Sequence, residues 1–308
     1  MRRALVLTGG GAKGSWQVGA CQHLIAERGY WFDVISGVSV GAINAATLAH
    51  GHDLDGLRAH LERLRSEWFD LRGNHDVYRR RWLGPLGLAL GRWEGLFETT
   101  PLRERLTRVI DPAQIAASPI QLRIGYTDLR SGGFRTARND HPGLVDAALA
   151  SSSLPLLFPP VPLQDGQELG VDGGVRKASP LSNAFHTLAE LPPTTGPDEI
   201  WLLLVHPPRC VGLASLAGKW PKAAFRWLSL VAHEAIAEDI QRAEQINALV
   251  RAGASHNGFR YVRLRVVHPL EELEGTLLDF DPTKIRAWYE AGLHTAREAV
   301  DEGERGIW

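Results

Sequence analysis

The sequence predicts an α/β fold with a mostly parallel central sheet, and three observations lead there. Ala4 to Thr8 is a short apolar run that enters a glycine loop and then a helical stretch. Phe32, Val34 and Ile35 form a second apolar run, which meets a nearly all-apolar helix, Val40 to Ala49, through Gly37-Val38-Ser39-Val40-Gly41. Strand and helix patterns alternate again after residue 199. Strand, loop, helix, strand, turn, helix is a βαβα unit, which needs parallel strands with a right-handed crossover, so both turns fall on one edge of the sheet.

Each element follows from local pattern. After the first strand come Gly9-Gly10-Gly11-Ala12-Lys13-Gly14, and the apolar set Trp16, Val18, Ala20, Cys21, Leu24 and Ile25 makes a helix that Gly29 stops. Gly51 ends the helix that begins at Val40. Asp53 to Phe69 is amphipathic, with Asp53 as its cap and Leu54, Leu57, Leu61, Leu64 and Trp68 on one stripe. Tyr78 to Trp93 fits no regular core element: three consecutive arginines stand beside tryptophans and glycine-broken apolar residues. It is read as a loop packed over the core with solvated arginines, against the rival reading of a lid or lipid-facing segment.

Thr100-Pro101 starts a helix through Ile110, Ile120 to Tyr126 alternates as a strand, and Ser131-Gly132-Gly133 turns it into a hairpin. Pro142 to Ala150 is helical and runs into Ser151-Ser152-Ser153, and Glu168 to Val171 leads to Asp172-Gly173-Gly174. Further on, Ile200 to Val205 is a strand ending at His206, Trp220 to Ala252 is mostly helix, Phe259 to Val267 is a strand, and Asp281-Pro282 caps a last helix. These pieces extend one sheet, so residues 1–308 are expected to form a single domain, with 199–308 as a strand and helix extension.

Bulk properties remove several classes of function. At 308 residues with a net charge of -1, the chain lacks the basic balance that general nucleic-acid binding needs. Two cysteines, Cys21 and Cys210, make no disulfide framework, which fits a reducing, cytoplasmic compartment. The first residues, MRRALVLTGGG, read as a strand rather than a secretory leader. No run is apolar and long enough to span a bilayer. No D-x-D-x-D-G loop suggests calcium.

The chemistry starts at Ser39. A strand that reverses directly into a helix strains the residue at the apex, and glycines two positions either side, Gly37 and Gly41, let the backbones pass. The serine then sits at the positive end of the following helix. Covalent ester hydrolysis also needs a base and donors for the oxyanion. Gly9 to Gly11 can supply the donors. Gly9, Gly11 and Gly14 also fit the dinucleotide pattern G-x-G-x-x-G, but the second strand ends in Ser36 rather than the acidic residue that holds a ribose. For the base, the residues leave two candidates. His206 completes a Ser, Asp, His order, and Asp172 could accept the serine proton directly if burial raised its pKa.

Four blocks in this order resemble the patatin-like phospholipase family: TGGGAKG at Thr8 to Gly14, GVSVG at Gly37 to Gly41, ASSSLPLLFPP at Ala150 to Pro160, and DGG at Asp172 to Gly174. Thr8 departs from the Asp that many members carry before the glycines. The resemblance covers residues 4–205 and implies a three-layer α/β/α arrangement and a lipid acyl hydrolase without metal or cofactor. It implies Ser39 as nucleophile, Asp172 as base and acid, the N–H groups of Gly10, Gly11 and Val40 as oxyanion hole, and Ser151 to Ser153 as support beside the dyad. The implied partner is a lipid or acyl ester, reached by transient contact with a membrane surface. The competing expectation is a lipid-binding or scaffold module that keeps the fold with an inert serine. Head group, acyl position and oligomeric state are written in no motif.

Overall fold

A computed structural model of the chain describes residues 1–82, 84–91, 94–207, 220–254 and 258–301. Cys210, with Leu83, Arg92 and Trp93 of the arginine–tryptophan segment, lies outside them. Five strands run parallel: β1 (Arg3–Leu7), β2 (Val34–Val38), β5 (Gln121–Asp128), β9 (Asp198–Leu203) and β10 (Val262–Val267). β6 (Phe134–Ala137), β7 (Val161–Leu163) and β8 (Glu168–Asp172) complete the sheet antiparallel, in the order β10-β9-β1-β2-β5-β8-β7, with β6 on β5. The mixed α/β class and the mostly parallel sheet are therefore as expected.

Both faces are covered, because strand side chains alternate. Leu5, Leu7 and Ile35 pack with α1 (Gly14–Cys21), α2 (Val40–Leu48), α3 (Leu54–Phe69) and α10 (Pro282–Asp301) in one buried cluster. Ala4, Val6 and Val34 point the other way, toward α8 (Leu181–Glu190) and α9 (Trp220–Arg251). Apolar side chains on both faces of β1, β2 and β9 are the mark of a buried parallel sheet, while β5 also buries Arg123, Thr127 and Asp128.

Local departures have visible causes. The helix expected to reach Arg28 changes to a π-helical stretch over Gln22–Glu27, where His23 Nδ1 lies 2.7 Å from Glu27 Oε2, and Gly29 ends it with φ +67°. Asp53 caps α3 by accepting the Gly56 N–H at 2.8 Å. Though Tyr78 itself packs in the core, the described part of Tyr78 to Trp93 is not wholly a loop. It forms β3 (Arg79–Arg80), paired with β4 (Phe97–Glu98), and between them α4 (Gly84–Ala89). The arginines at 79 and 80 are exposed as expected, but so are Trp82, Leu86 and Leu90. A three-residue strand, β7, and a six-residue helix, α6 (Pro112–Ala117), are too short for periodicity to show, and α8, ten residues long, is also not read from the sequence.

Candidate active site

Strand register brings the serine turn and the DGG turn together. β2 pairs with β5 up to Val38 against Gly125, and β8 pairs with the next β5 residues, Asp172 standing opposite Tyr126. Tyr126 and Thr127 also pair with β6, so β8 must occupy the edge that β2 vacates. β8 runs antiparallel to β5, so its last residue abuts the last residue of β2. A Cβ on Gly173 would stand 2.5 Å from Gly125 O and 3.1 Å from Val38, which shows how closely the two ends meet.

Ser39 sits at the apex with φ 57° and ψ -132°, a conformation an L-residue adopts only under constraint, at a cost of about 1–3 kcal/mol. The constraint is steric and polar. A side chain on Gly41 would lie 2.3 Å from Leu7 O, so only glycine lets α2 start against β1. Ser151 Oγ accepts the Ser39 N–H at 2.9 Å and donates to Gly125 O at 2.6 Å, tying the apex to α7 (Leu144–Ser151) and β5. Ser151→Ala would leave two buried polar groups unpaired; the expected loss is about 1–3 kcal/mol of stability with slower turnover, read by thermal unfolding and an ester assay. Unchanged values in both would deny Ser151 the role.

Asp172 is buried at the end of β8, and its Oδ1 accepts the Gly174 N–H at 2.7 Å. Burial pushes its carboxyl up to about 6, against the opposing pull of the Ser39 hydroxyl and the Gly174 N–H. Oδ2 has no hydrogen-bond partner among the described residues.

The glycine loop lies beside the serine. A Cβ on Gly9 would be 3.0 Å from Ser39 Cβ, and Gly11, Ser39 and Val40 face the same cavity. Gly10 precedes a 3-10 turn, Gly11–Lys13, and Val40 opens α2, so the Gly11 and Val40 N–H groups are first-turn donors that lack intrahelical acceptors. Gly14 packs under the loop against Val40 and Trp68, and Asn44 bonds Gly14 O, Gln17 and Trp68 at 3.0–3.1 Å, bracing the loop from below.

Residues 272–280 hold the loop from above, which no motif announced. Leu277 O accepts the Ala12 N–H at 2.8 Å and would stand 2.1 Å from a Cβ on Gly11, whose φ is +55°. Glu272 Oε1 accepts from Lys13 Nζ at 2.8 Å and lies 2.8 Å from His206 Nδ1. Burial raises the Glu272 carboxyl, but His206 and Lys13 outweigh it and hold it at about 2. The hydrogen-bond partner shown for His206 is thus Glu272 rather than Ser39. His206, His233 and Glu272 are the group among the described residues whose ligand atoms lie close enough for a metal ion, all within 4.8 Å of one another. The Lys13 ammonium already supplies the positive charge there.

From Ser39 an apolar cavity of about 110 Å³ extends between α2, α3, α5 (Thr100–Val109) and the strap at 272–280. Ile43, Leu64, Leu106, Leu154, Phe158 and Phe280 are among its apolar wall residues. Its charged members, Glu67 and Arg105, are paired with each other at 3.3 Å. Such a mostly apolar space accepts a hydrocarbon chain, with Thr47, Thr99 and Ser152 as further polar members of its lining.

A covered parallel sheet with a strained serine between strand and helix, facing an apolar cavity, defines the class of α/β proteins built on a G-x-S-x-G turn. The chain belongs to the patatin-like phospholipase family, whose model matches residues 5–185. It is 30% identical over 200 residues to a cGAMP-activated phospholipase of Escherichia coli, covering 58% of this chain and 53% of that protein. It is 25% identical over 315 residues to a cGAMP-activated phospholipase of Vibrio cholerae, covering 90% of this chain and 85% of that one. The match thus spans about half the length of the Escherichia coli relative. Among solved structures it is similar to VipD from Legionella pneumophila, at 15% identity and a TM-score of 0.42, over 98% of this chain and 67% of that one.

Proposed function

We propose that the chain is a serine acyl hydrolase that cleaves ester bonds of lipids: phospholipid, lysophospholipid or acylglycerol. Asp172 takes the proton of Ser39 as Oγ attacks the ester carbonyl, and the N–H groups of Gly10, Gly11 and Val40 receive the oxyanion. The intermediate collapses to an acyl-Ser39, Asp172 returns the proton to the departing alcohol, and water then releases the fatty acid by the same steps in reverse order. The apolar cavity holds the acyl chain, and the polar head group stays at its mouth.

One observation carries this reading. A strained serine lines an apolar cavity, and beside it lies a buried carboxyl, one of whose oxygens has no hydrogen-bond partner among the described residues. Family membership and the phospholipase names of two relatives support the lipid class. A fluorophosphonate probe should label Ser39, and Ser39→Ala should abolish labelling and lower turnover of a p-nitrophenyl acyl ester by about 10⁴-fold or more. An unlabelled wild-type protein that still binds lipid would instead mark an inert lipid-binding module.

A further inference from the structure

The segment between β3 and β4 departs from the cavity wall and returns to it. Val77 just before it and Thr99 just after it both line the cavity. Its second arm is fastened to the opposite rim: Leu96 N–H donates to Leu156 O at 3.0 Å and Phe97 N–H to Leu157 O at 2.9 Å, between the wall residues Leu154 and Phe158. The segment is thus anchored at both ends to residues of the cavity wall.

What it presents is apolar and unpartnered. Trp82 is 86% exposed, Leu90 73% and Leu86 54%, and Leu156 on the adjoining rim is 69% exposed with a left-handed φ of +70°. Leu90 N–H donates to Leu86 O at 3.0 Å, so these two leucines lie one turn apart on the same side of α4. Large apolar side chains grouped in water mark an interaction surface. The surrounding charge narrows the partner: residues 78–98 contain four arginines against two glutamates in a chain of net charge -1. Arg79 and Arg80 are exposed, and Glu98 is no closer than 4.0 Å to Arg79.

We propose that Trp82, Leu86, Leu90 and Leu156, flanked by Arg79 and Arg80, seat the protein on an anionic phospholipid bilayer with the cavity mouth against the lipid. The tryptophan ring suits the headgroup level, the leucines enter the acyl boundary, and the arginines meet lipid phosphates. A second copy fits less well, because a two-fold contact through this face would set the arginine pair near its own image. The inference rests on the hydrolase reading only for its purpose, since it lets lipid pass from bilayer to Ser39 without crossing water.

Binding can be read without catalysis. The Ser39→Ala protein should co-sediment with vesicles of phosphatidylcholine containing phosphatidylglycerol, more weakly as salt rises, and poorly with phosphatidylcholine alone. Adding Trp82→Ser, Leu86→Ser and Leu90→Ser together should weaken vesicle binding by about 100-fold or more, since the apolar side chains that enter the acyl boundary are lost. Arg79→Gln and Arg80→Gln should each cost about fivefold on anionic vesicles only. In a chain with Ser39 intact, the triple serine variant should hydrolyse a short, monomeric p-nitrophenyl ester at the wild-type rate, showing that the fold survives. Vesicle binding equal to that of the parent would overturn the proposal, as would no binding to either vesicle. Self-association lost in the triple variant would also overturn it, assigning the face to a second copy. Each binding result stands whether or not Ser39 proves to be the nucleophile.

Discussion

Asp172→Asn is expected to lower ester turnover by about 10²- to 10⁴-fold and, at neutral and higher pH, to make the protein harder to unfold. The two effects share a cause. Burial holds the Asp172 carboxyl at about 6, above its ordinary 3.8, so the folded state prefers the protonated form. A group raised in this way contributes its stability in full below the unfolded value, and that contribution disappears as pH rises through about 6. Above that pH the fold carries a buried carboxylate whose cost is about 2–3 kcal/mol, and asparagine, neutral throughout, removes it. The Gly174 N–H keeps an acceptor, because asparagine retains one oxygen. The melting temperature should therefore rise by about 5 °C at pH 8 and change little near pH 4. In the unaltered protein, turnover should fall as pH drops through about 6, because only the ionised carboxyl accepts a proton. Equal melting shifts at both pH values would refute the buried-charge account. Wild-type turnover in the variant would refute the base.

Gly37→Ala should cost about 4 kcal/mol or more and lower the melting temperature by about 10 °C. The added Cβ would stand 2.1 Å from Gly41 O and 2.6 Å from Ala42 N, backbone atoms of the first turn of α2 that no side-chain rotation can move aside. Relief requires the helix to shift from the strand, which carries Ser39 away from the glycine loop. Activity should be lost even in the fraction that stays folded at low temperature, and thermal unfolding with an ester assay reads both. A variant that melts within about a degree of the parent would mean that the turn is looser than its geometry indicates.

Much of this arrangement could be read before any coordinates. The parallel strands, the glycine loop and the serine turn are local, each fixed by a strand pattern that ends in small residues and restarts as a helix. β2 and α2 lie where the apolar runs and Gly51 put them, and the Asp53 cap and the Asp281 cap are also local features. The arginine–tryptophan segment was read by the ordinary rule that charge runs are wet. Its arginines follow that rule, whereas its tryptophan and leucines show why composition alone does not say which side chains a short helix will leave uncovered.

The sequence by itself determined which chemical groups exist and which turn holds each: the hydroxyl at Ser39, the donors around Gly10 and Gly11, the carboxyl at Asp172. Only the tertiary structure decided that β8 takes the edge β2 leaves free, that Glu272 rather than Ser39 receives His206, and that residues from the far end of the chain roof the glycine loop. The reason is range. A turn depends on neighbours a few residues away, which pattern records, while strand order and a carboxyl's burial depend on contacts between residues tens to hundreds of positions apart, which no local spacing encodes.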